Sequence, residues 1–529
     1  MSRRQLWALA VAVVLLAGLL LRLRGIHSPL LDHPGWRQGD TAAIARNFAT
    51  LDFNPFHPQT DYDGPPPNYV ELELQIVPFL AATLYKIFGI HEVFGRLITM
   101  TFSLATVALL AFFGRYVFRD GRGDVAGIAA AALYAVYPGS VYYGRTFMPD
   151  TTMVFFLTAA LFATVRFFDN EDARSWRGFW PAALLLAAAV LAKPVALVAA
   201  VPVAVVSVAR FGVLGTLRRP QSWALAAVAL GPYLAYDAYL SRIAEWHWAS
   251  GITKRHVLPS LAQSLTSAQA AGAKLRAWWG TLGLLGSTML GPAGLGAFAV
   301  AILVPVARRA RPLLFGWLAG AALYAFAVVT VERVDYYLYL VLPLAALWTG
   351  GALARGHELL GEGRERAAAA TAVIALLVAV VAWDGRHRVA RYYAYSREVY
   401  QAAKALDATL DPGALIVMGH YDPSVLYYIN RKGWEEDPYL WTPFDEQSAI
   451  RKGARYFVAI ENNRFKRNVE LYAWMQRFPV RNPDALWPVY ETDNAKLLTG
   501  AEDRWREFRR REKAGELPQT PQAKVPPSS

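Results

Sequence analysis

The chain has 529 residues, of which 55% are hydrophobic, and its formal net charge is +13. Soluble domains are typically about 45–50% apolar, so this composition disfavours an ordinary soluble protein. The sequence contains no cysteine, which excludes disulfide bonds and thiolate metal sites. Because the basic residues lie between hydrophobic segments, they indicate membrane orientation and not a nucleic-acid partner.

Eleven apolar segments are predicted to cross a membrane, since stretches of roughly 17–25 apolar residues span a bilayer. They lie at residues 6–24, 96–114, 125–143, 151–167, 179–192, 195–209, 222–240, 289–306, 313–330, 337–353 and 367–384. The pair 179–192 and 195–209 also fits one long helix kinked at Lys193-Pro194. Residues 73–89 are placed flat at the interface, because an extra span there would reverse every later loop.

Basic residues mark alternate connections between these segments. The arginines that set the pattern include Arg3, Arg4, Arg115, Arg119, Arg122, Arg218, Arg219, Arg308, Arg309 and Arg311. The positive-inside rule then predicts the orientation of a multi-pass membrane protein, and the compact chain fits the bacterial inner (plasma) membrane. Its N-terminus is expected in the cytoplasm and its C-terminal domain in the periplasm.

The hydrophobic pattern divides the chain into three regions. Residues 1–390 are predicted to form a membrane domain that includes a long first outer loop at 25–95. Residues 391–505 alternate helix-like and strand-like pieces, which predicts a small extracytoplasmic α/β domain. Residues 506–529 are rich in proline and serine near the end and are predicted to be a disordered tail. The expected fold class is a polytopic α-helical membrane protein.

The polar residues that could take part in binding or catalysis fall on the outer loops or at the outer ends of spans. They are therefore expected to converge on one surface. They are Asp32, Trp36, Arg37, Asp40, Glu71, Glu73, Arg145, Asp150, Lys193, Arg333 and Asp335. Asp40 fits either the cap of a helix at 41–51 or a general base for a hydroxyl. Glu71 and Glu73 fit either a helix cap or contacts with sugar hydroxyls.

The remaining candidates include basic residues, which are predicted to bind a phosphate. Asp150 begins a span and could cap it, but nearby Arg145 offers it an ion-pair partner. Lys193 fits either snorkelling or phosphate binding, and Arg333 carries the bidentate fork that suits a phosphate. The sequence contains no Walker loop, GxGxxG fingerprint, HExxH or GxSxG motif, so nucleotide-driven pumping and zinc proteolysis are not indicated.

These segments resemble the GT-C glycosyltransferases, specifically the protein-mannosyltransferase and aminoarabinose-transferase-like group (glycosyltransferase families 39 and 83). The matching pieces lie within roughly residues 1–350 and are WRQGDTAAIARNF, a Pro-rich lead-in to a helix ending LYKIFG, GRLITM, GRTFMPDTT, LAKP and DYYLYLVLPLAAL. The resemblance implies a GT-C fold and a polyprenyl-phosphate (undecaprenyl-type) sugar donor. It also implies inverting transfer to a hydroxyl acceptor, with no metal or other cofactor.

The resemblance also implies residue roles. It assigns catalysis to Asp40 and Asp150, donor phosphate binding to Lys193, Arg333 and Arg145, and sugar or acceptor binding to Glu73, Glu71, Trp36, Arg37, Tyr336 and Tyr337. Two departures bear on the donor. Gly64 and Asn68 flank the prolines where aminoarabinose-type relatives carry a lysine, and Asp335 stands where a histidine often precedes the paired tyrosines.

The expected partners are a polyprenyl-phosphate sugar, membrane lipid and an acceptor, with no nucleic acid. The acceptor is left open between a glycolipid such as lipopolysaccharide, a polysaccharide and a protein. A polyprenyl-linked glycan transporter or flippase is the main alternative, although nearly charge-free helix centres disfavour transport. A membrane-anchored binding protein, an oligosaccharyltransferase and an O-antigen-ligase-like enzyme are further alternatives.

Overall fold

The computed structural model describes residues 1–119, 122–170, 175–360 and 363–517. The chain divides into two compact units by its internal contacts. Unit 1 comprises Met1–His27, Glu71–Ile243 and His247–Tyr393, and unit 2 comprises Ser28–Val70, Ala244–Trp246 and Ala394–Ser529.

Helices dominate the described residues. The α-helices are α1 (Arg3–Arg22), α2 (Gly35–Thr50), α3 (Ile76–Phe88), α4 (Val93–Val117), α5 (Gly123–Val136), α6 (Pro138–Tyr143), α7 (Asp150–Phe168), α8 (Phe179–Ala192), α9 (Ala200–Arg218), α10 (Pro220–Ile243), α11 (Ala249–Ile252), α12 (Leu258–Thr266), α13 (Ala268–Leu284), α14 (Gly291–Leu303), α15 (Arg311–Tyr324), α16 (Thr330–Glu332), α17 (Leu342–Leu359), α18 (Arg364–Arg388), α19 (Arg397–Thr409), α20 (Pro423–Ile429), α21 (Pro443–Arg451), α22 (Asn462–Arg467), α23 (Val469–Met475) and α24 (Ala501–Lys513).

The other elements are short. The strands are β1 (Val70–Glu71), β2 (Trp246–His247), β3 (Leu415–Met418), β4 (Lys432–Glu435), β5 (Ala454–Val458) and β6 (Val489–Glu491). The 3₁₀ segments are Pro194–Ala199, Asp335–Val341, Ala390–Tyr393 and Asn494–Lys496, and the π-helical segments are Thr253–Val257, Leu285–Met289 and Ala325–Val329.

All eleven apolar segments of the sequence analysis are helical in unit 1. Within the described residues, seven helical stretches are both long and apolar enough to cross a membrane, namely Arg3–Arg22, Val93–Val117, Asp150–Phe168, Pro194–Arg218, Arg311–Glu332, Asp335–Leu359 and Glu365–Arg388. Shorter apolar helices are Ile76–Phe88, Gly123–Val136, Phe179–Ala192 and Gly291–Leu303. The protein is therefore a multi-pass membrane protein, while the number of crossings and the orientation stay predictions.

Lys193 separates two helices, so residues 179–209 do not form one kinked helix. Its backbone is extended, with φ −167° and ψ 125°, between the end of α8 and the 3₁₀ turn that begins at Pro194. A proline cannot donate the amide hydrogen bond that a continuous helix needs, and it disfavours helical geometry in the preceding residue. The break places the Lys193 side chain at a helix junction.

Small residues let the helices at the centre of unit 1 approach closely. A Cβ added at Gly114 on α4 would lie 2.8 Å from Gly127 Cα on α5, and one added at Gly350 on α17 would lie 2.6 Å from Ala126 O. Such small-residue contacts are typical of membrane helix packing. They let α4, α5 and α17 pack closely against one another.

Unit 2 contains a mixed four-stranded sheet in the order β4-β3-β5-β6. Strand β3 runs parallel to β4 and to β5, whereas β6 is antiparallel to β5. The carboxyl ends of the three parallel strands therefore lie at one edge, which we call the carboxyl edge and which ends at Met418, Glu435 and Val458. Ligands of open α/β sheets usually bind outside this kind of edge.

The first outer loop contributes its residues 28–70 to unit 2, whereas the sequence analysis grouped them with the membrane domain. Ion pairs account for this difference. Lys432 on β4 donates to Asp61 Oδ1 at 2.7 Å and to Asn47 Oδ1 at 2.6 Å, and Arg46 on α2 pairs with Asp61. Burial alone would raise the pKa of Asp61, but Arg46 and Lys432 lower it to about 2.

The tail also differs from its prediction. Residues 506–513, which were expected to be disordered, continue the helix α24. The charged residues of this helix pair along one face, for example Arg510 with Glu507 three positions earlier. The rest of the predicted tail, from residue 518, lies outside the described residues.

Gly39 on α2 packs against Ser424 on α20 in unit 2, and this contact gives a stability prediction. A Cβ added there would lie 2.4 Å from Ser424 Cα and 2.6 Å from Ser424 N, so the backbone must shift. We expect Gly39→Ala to destabilise unit 2 by about 1–3 kcal/mol, the usual cost of overpacking. The control is Gly296→Ala in α14, where the added Cβ meets nothing within 4 Å. Equal thermal unfolding of both variants would contradict the packing.

Candidate active site

Asp150 and Lys193 form a buried ion pair in unit 1. Lys193 Nζ lies 2.6 Å from Asp150 Oδ1, and the two side chains are only 9% and 4% exposed. Asp150 is the first residue of α7 but makes no capping hydrogen bond there. Its second oxygen, Oδ2, has no hydrogen-bond partner within the described residues. The ion pair therefore replaces the plain helix cap that the sequence also allowed.

The paired tyrosines complete this group. Lys193 Nζ lies 5.4 Å from the ring centre of Tyr336 and 5.0 Å from that of Tyr337, within range of cation–π attraction. The sequence analysis thus placed four residues, Asp150, Lys193, Tyr336 and Tyr337, that do meet in space. The Lys193 ammonium therefore lies between a carboxylate and two aromatic rings.

Asp335, next to these tyrosines, is buried and held by hydroxyl groups. Tyr143 Oη donates to its Oδ1 at 2.7 Å, while Tyr392 Oη and Thr288 Oγ1 donate to its Oδ2 at 2.6 Å and 3.0 Å. The three donors come from α6, a 3₁₀ turn and a π-helical segment, which are distant in the sequence. Asp335 therefore joins separate parts of unit 1 just before the tyrosine pair.

Arg145 occupies a different place from the one expected for it. The sequence analysis paired it with Asp150, but the partner of Asp150 is Lys193. The Arg145 guanidinium is fully buried, donates to the Gly25 carbonyl at 3.1 Å, and lies 4.5 Å from the Tyr393 ring centre. The break at Lys193, which the sequence left ambiguous, brings the lysine close enough to take the pairing.

Arg333 is exposed and makes no hydrogen bond or ion pair through its side chain to any part of the chain that the structure describes. Its backbone is left-handed, with φ 35° and ψ 31°, which is uncommon for a residue with a Cβ. This turn ends α16 and precedes the 3₁₀ segment that carries Tyr336. The guanidinium is thus available to an incoming anion.

Glu71 and Glu73 are buried in unit 1, shortly before α3. That helix begins after Gln75 without a side-chain cap. The Glu71 carboxylate instead accepts from the Ser250 amide at 3.1–3.2 Å and shares a hydrogen bond with Asp237. Burial and the Asp237 carboxyl raise the pKa of Glu71, and both glutamates act electrostatically on Tyr236. The partners of the Glu71 carboxylate therefore include Ser250 and Asp237.

Asp40 belongs to unit 2 and is not a helix cap. Helix α2 begins at Gly35, so Asp40 lies in its second turn rather than before its start. The residue is 6% exposed, and its carboxylate accepts a hydrogen bond from Tyr62. Its Oδ1 has no hydrogen-bond partner among the described residues. Because an unpaired buried carboxylate oxygen is costly, it points to a ligand contact.

Burial raises the pKa of Asp40 to about 7, although the positive charge of Arg37 and the Tyr62 hydrogen bond act in the opposite direction. The charges of Asp422 and Asp61 raise it further. A general base works best when its pKa lies near the operating pH. Arg37 is itself buried, whereas the neighbouring Trp36 is 43% exposed.

The Asp40 pKa makes the pH dependence of the protein testable. A base must be deprotonated, so activity limited by Asp40 is expected to fall about tenfold per pH unit below pH 7 and to level off above it. The charged and titratable groups that act on Asp40, or on which Asp40 acts, are Arg37, Tyr62, Asp61, Asp422, Glu435 and Tyr421. Rate profiles between pH 5 and 9 would test this. A profile that is flat through pH 7 would exclude Asp40 as the titrating base.

Three residues beside Asp40 were missed by sequence reasoning. Tyr62 and Tyr421 lie in loops, and Glu435 ends β4, a strand too short and too rich in glycine and charge to be recognised. Burial and the Asp40 carboxylate raise the pKa of Glu435 well above its usual range. Only their proximity in the fold reveals them, because no sequence pattern joins positions 40 and 435.

The chain is similar to known proteins in sequence and in fold. The family model described as dolichyl-phosphate-mannose-protein mannosyltransferase matches residues 75–235. The structure of ArnT from Cupriavidus metallidurans bound to undecaprenyl phosphate superposes with a TM-score of 0.60 at 14% identity, covering 94% of this chain and 100% of that one. The chain has the GT-C fold. The GT-C fold was predicted from the sequence, and the match confirms it.

A second solved structure shares the GT-C fold. The apo form of the oligosaccharyltransferase from Archaeoglobus fulgidus has a TM-score of 0.59 at 12% identity, over 94% of this chain and 75% of that one. The same archaeal protein, AglB, in complex with an inhibitory peptide and a dolichol-phosphate gives 0.57 at 11% identity, with the same coverage. No curated protein sequence matches this chain. The family model and these GT-C neighbours together indicate a glycosyltransferase.

Proposed function

We propose that this protein transfers one sugar from a polyprenyl-phosphate donor to a hydroxyl acceptor, with Asp40 as the general base. The observation that carries the proposal is the Asp40 carboxylate, which is buried, lacks a partner for Oδ1 and has a pKa of about 7. The comparisons support the donor class. One structural neighbour binds undecaprenyl phosphate and another binds a dolichol-phosphate.

In the proposed reaction the acceptor oxygen attacks the anomeric carbon as Asp40 takes its proton. The bond between that carbon and the phosphate oxygen breaks, and polyprenyl phosphate leaves with the electron pair. Attack opposite the leaving group inverts the anomeric configuration, through a state with oxocarbenium character. General-base help of this kind contributes about 10²–10⁴-fold.

The departing phosphate gains negative charge, and basic side chains are proposed to meet it. Lys193 and Arg333 are the main candidates, and Arg145 is a third. Placed donors of this type typically contribute about 3–4 kcal/mol each to a barrier. Asp150 holds the Lys193 ammonium by their 2.6 Å ion pair, so we assign Asp150 to positioning that cation.

The remaining predicted residues are proposed to contact the sugar or the acceptor. Tyr336 and Tyr337 offer aromatic surface beside the phosphate group, and Trp36 and Arg37 lie on α2 near Asp40 in the sequence. Glu71 and Glu73 supply carboxylates for donor hydroxyls. The proposed setting is the periplasmic face of a bacterial inner membrane, where lipopolysaccharide and other glycans are modified.

The direct test incubates the purified chain with a panel of radiolabelled polyprenyl-phosphate sugars and a membrane extract. We expect the label to move from one donor into a covalent product, with release of polyprenyl phosphate. Purified protein in sealed vesicles tests the flippase alternative in parallel. Label that crosses the bilayer while still attached to the donor lipid would favour transport and contradict transfer.

A further inference from the structure

Asp40 lies at the carboxyl edge of the unit 2 sheet. Gly39 packs directly on the Ser424 backbone, which follows the loop after β3. Gly64 and Gly433 form an antiparallel β-bridge, which attaches the chain beside Tyr62 to β4. Tyr62 in turn donates a hydrogen bond to Asp40, and the charge of Glu435 acts on Tyr62. Helix α2, the first outer loop and the end of β4 therefore meet at one point.

Two buried carboxyl oxygens remain without partners at this edge. Glu435 is 8% exposed and its Oε2 has no hydrogen-bond partner in the described parts of the chain. The same holds for Oδ1 of Asp40. Each orphan oxygen costs stability unless something bound there satisfies it. Two such oxygens at an edge where α/β sheets bind ligands indicate a binding position rather than a packing defect.

The two carboxyls differ in how readily they ionise. Burial and the charge of Asp40 raise the pKa of Glu435 well above its usual range, which favours the protonated form of Glu435 beside an ionised Asp40. A neutral carboxyl donates a hydrogen bond through its hydroxyl, whereas a carboxylate only accepts. A ligand that matches both must offer a donor to Asp40 and an acceptor to Glu435. Neighbouring hydroxyls on one sugar ring meet this requirement.

Further acidic side chains act on this edge. Burial and the charges of Glu436 and Glu245 raise the pKa of Asp63 to about 7. Tyr421, on which the charges of Asp40 and Glu435 also act, is 61% exposed and presents an aromatic ring. Those carboxyls that are ionised repel a phosphorylated or carboxylated ligand, and an aromatic face suits a sugar ring.

We propose that the carboxyl edge of unit 2 binds the acceptor as an uncharged glycan, with Glu435 donating to the hydroxyl next to the one that Asp40 deprotonates. This inference rests on the proposed function and names the acceptor class for the same reaction. Glu435 is a binding residue that orients the attacking hydroxyl. The C-terminal α/β unit, on this view, selects the acceptor.

The experiment uses the full chain and one active labelled donor. The membrane extract is separated by anion exchange into uncharged and anionic glycans, and a serine/threonine peptide serves as a third acceptor. We expect the label to enter the uncharged glycans. Labelling mainly of the anionic glycans or of the peptide would overturn the inference, and so would loss of transfer in EDTA, since that outcome assigns the acidic edge to a metal ion.

Variants of Glu435 test the contact itself. Glu435→Ala is expected to raise the acceptor KM about tenfold or more with kcat changed less than threefold, whereas Glu435→Gln stays within about threefold because its amide also donates. Glu446→Ala is the matched control, because Glu446 is a second buried glutamate of unit 2 whose pKa burial raises to about 8. An unchanged KM in Glu435→Ala, or an equal rise in the control, would overturn the inference.

Hydrolysis of the donor by water separates this inference from the proposed function. It requires the donor site but no acceptor site. Wild-type protein that neither hydrolyses nor transfers the sugar would refute the proposed function. Hydrolysis that persists in Glu435→Ala while transfer to glycan falls is the result expected here, and parallel loss of both reactions would contradict a role confined to the acceptor.

Discussion

Replacing Asp40 with asparagine is expected to reduce sugar transfer by about 10²–10⁴-fold, the usual contribution of a general base. The amide keeps the size of the carboxyl group and can still accept the Tyr62 hydrogen bond, but it cannot take a proton. Donor binding should stay within about threefold of the wild type, because the proposed phosphate ligands are unchanged. Single-turnover transfer with saturating donor measures the effect.

Stability provides the control for this substitution. The unpaired Asp40 carboxylate is costly to bury, so Asp40→Asn should leave the thermal unfolding temperature unchanged or raise it. Asp40→Glu adds a second control, because it keeps a carboxylate but moves it by one methylene. Transfer that survives intact in Asp40→Asn, in a folded protein, would remove Asp40 from the mechanism.

Breaking the Asp150–Lys193 pair is expected to have the second largest effect. Lys193→Gln leaves a buried carboxylate without its cation, which typically costs about 3–5 kcal/mol of stability. It also removes a proposed phosphate ligand, so transfer should fall about 10²-fold or more. Thermal unfolding and transfer rates are measured on the same preparations.

The double variant Asp150→Asn/Lys193→Gln separates structure from chemistry. Two neutral amides can hydrogen-bond each other, so stability should return towards the wild type while transfer stays low. The donor KM should rise more than the acceptor KM, since Lys193 is assigned to the donor phosphate. Recovery of transfer together with stability would show that the pair is purely structural.

The membrane part of the fold follows from the sequence because its signal is strong. Long apolar helices must satisfy every backbone group internally, so their hydropathy alone locates them. The Lys193-Pro194 step was ambiguous by the same reasoning, since apolar helices continue on both sides of it. The extended backbone at Lys193 results from the following proline and from the ion pair with Asp150. The proline can be read from the sequence, whereas the ion pair cannot.

The site was predicted in part. The predicted positions of Asp150, Lys193 and the tyrosine pair at the ends of spans were enough to indicate that those residues come together. The partner of Arg145 was predicted wrongly. That prediction rested on the short sequence distance between Arg145 and Asp150 and did not account for the turn that follows α6.

The surroundings of Asp40 were beyond sequence reasoning for a different reason. They come from β4 and from the loop after β3, and nearly 400 positions separate Asp40 from Glu435. Strand β4 has only four residues and includes Gly433, so it lacks the β-branched alternation that marks a strand. The pKa shifts that distinguish Asp40 and Glu435 arise from burial and mutual charge, which exist only in the folded unit.

The proposed function requires the covalent transfer of a sugar from a lipid phosphate. The most direct measurement follows both products by mass spectrometry after one purified preparation meets one polyprenyl-phosphate sugar and its acceptor. We expect the acceptor to gain the mass of a single sugar residue, with an equal amount of polyprenyl phosphate released. A donor that stays intact, with no change in acceptor mass under conditions where the protein is folded and binds the donor, would contradict it.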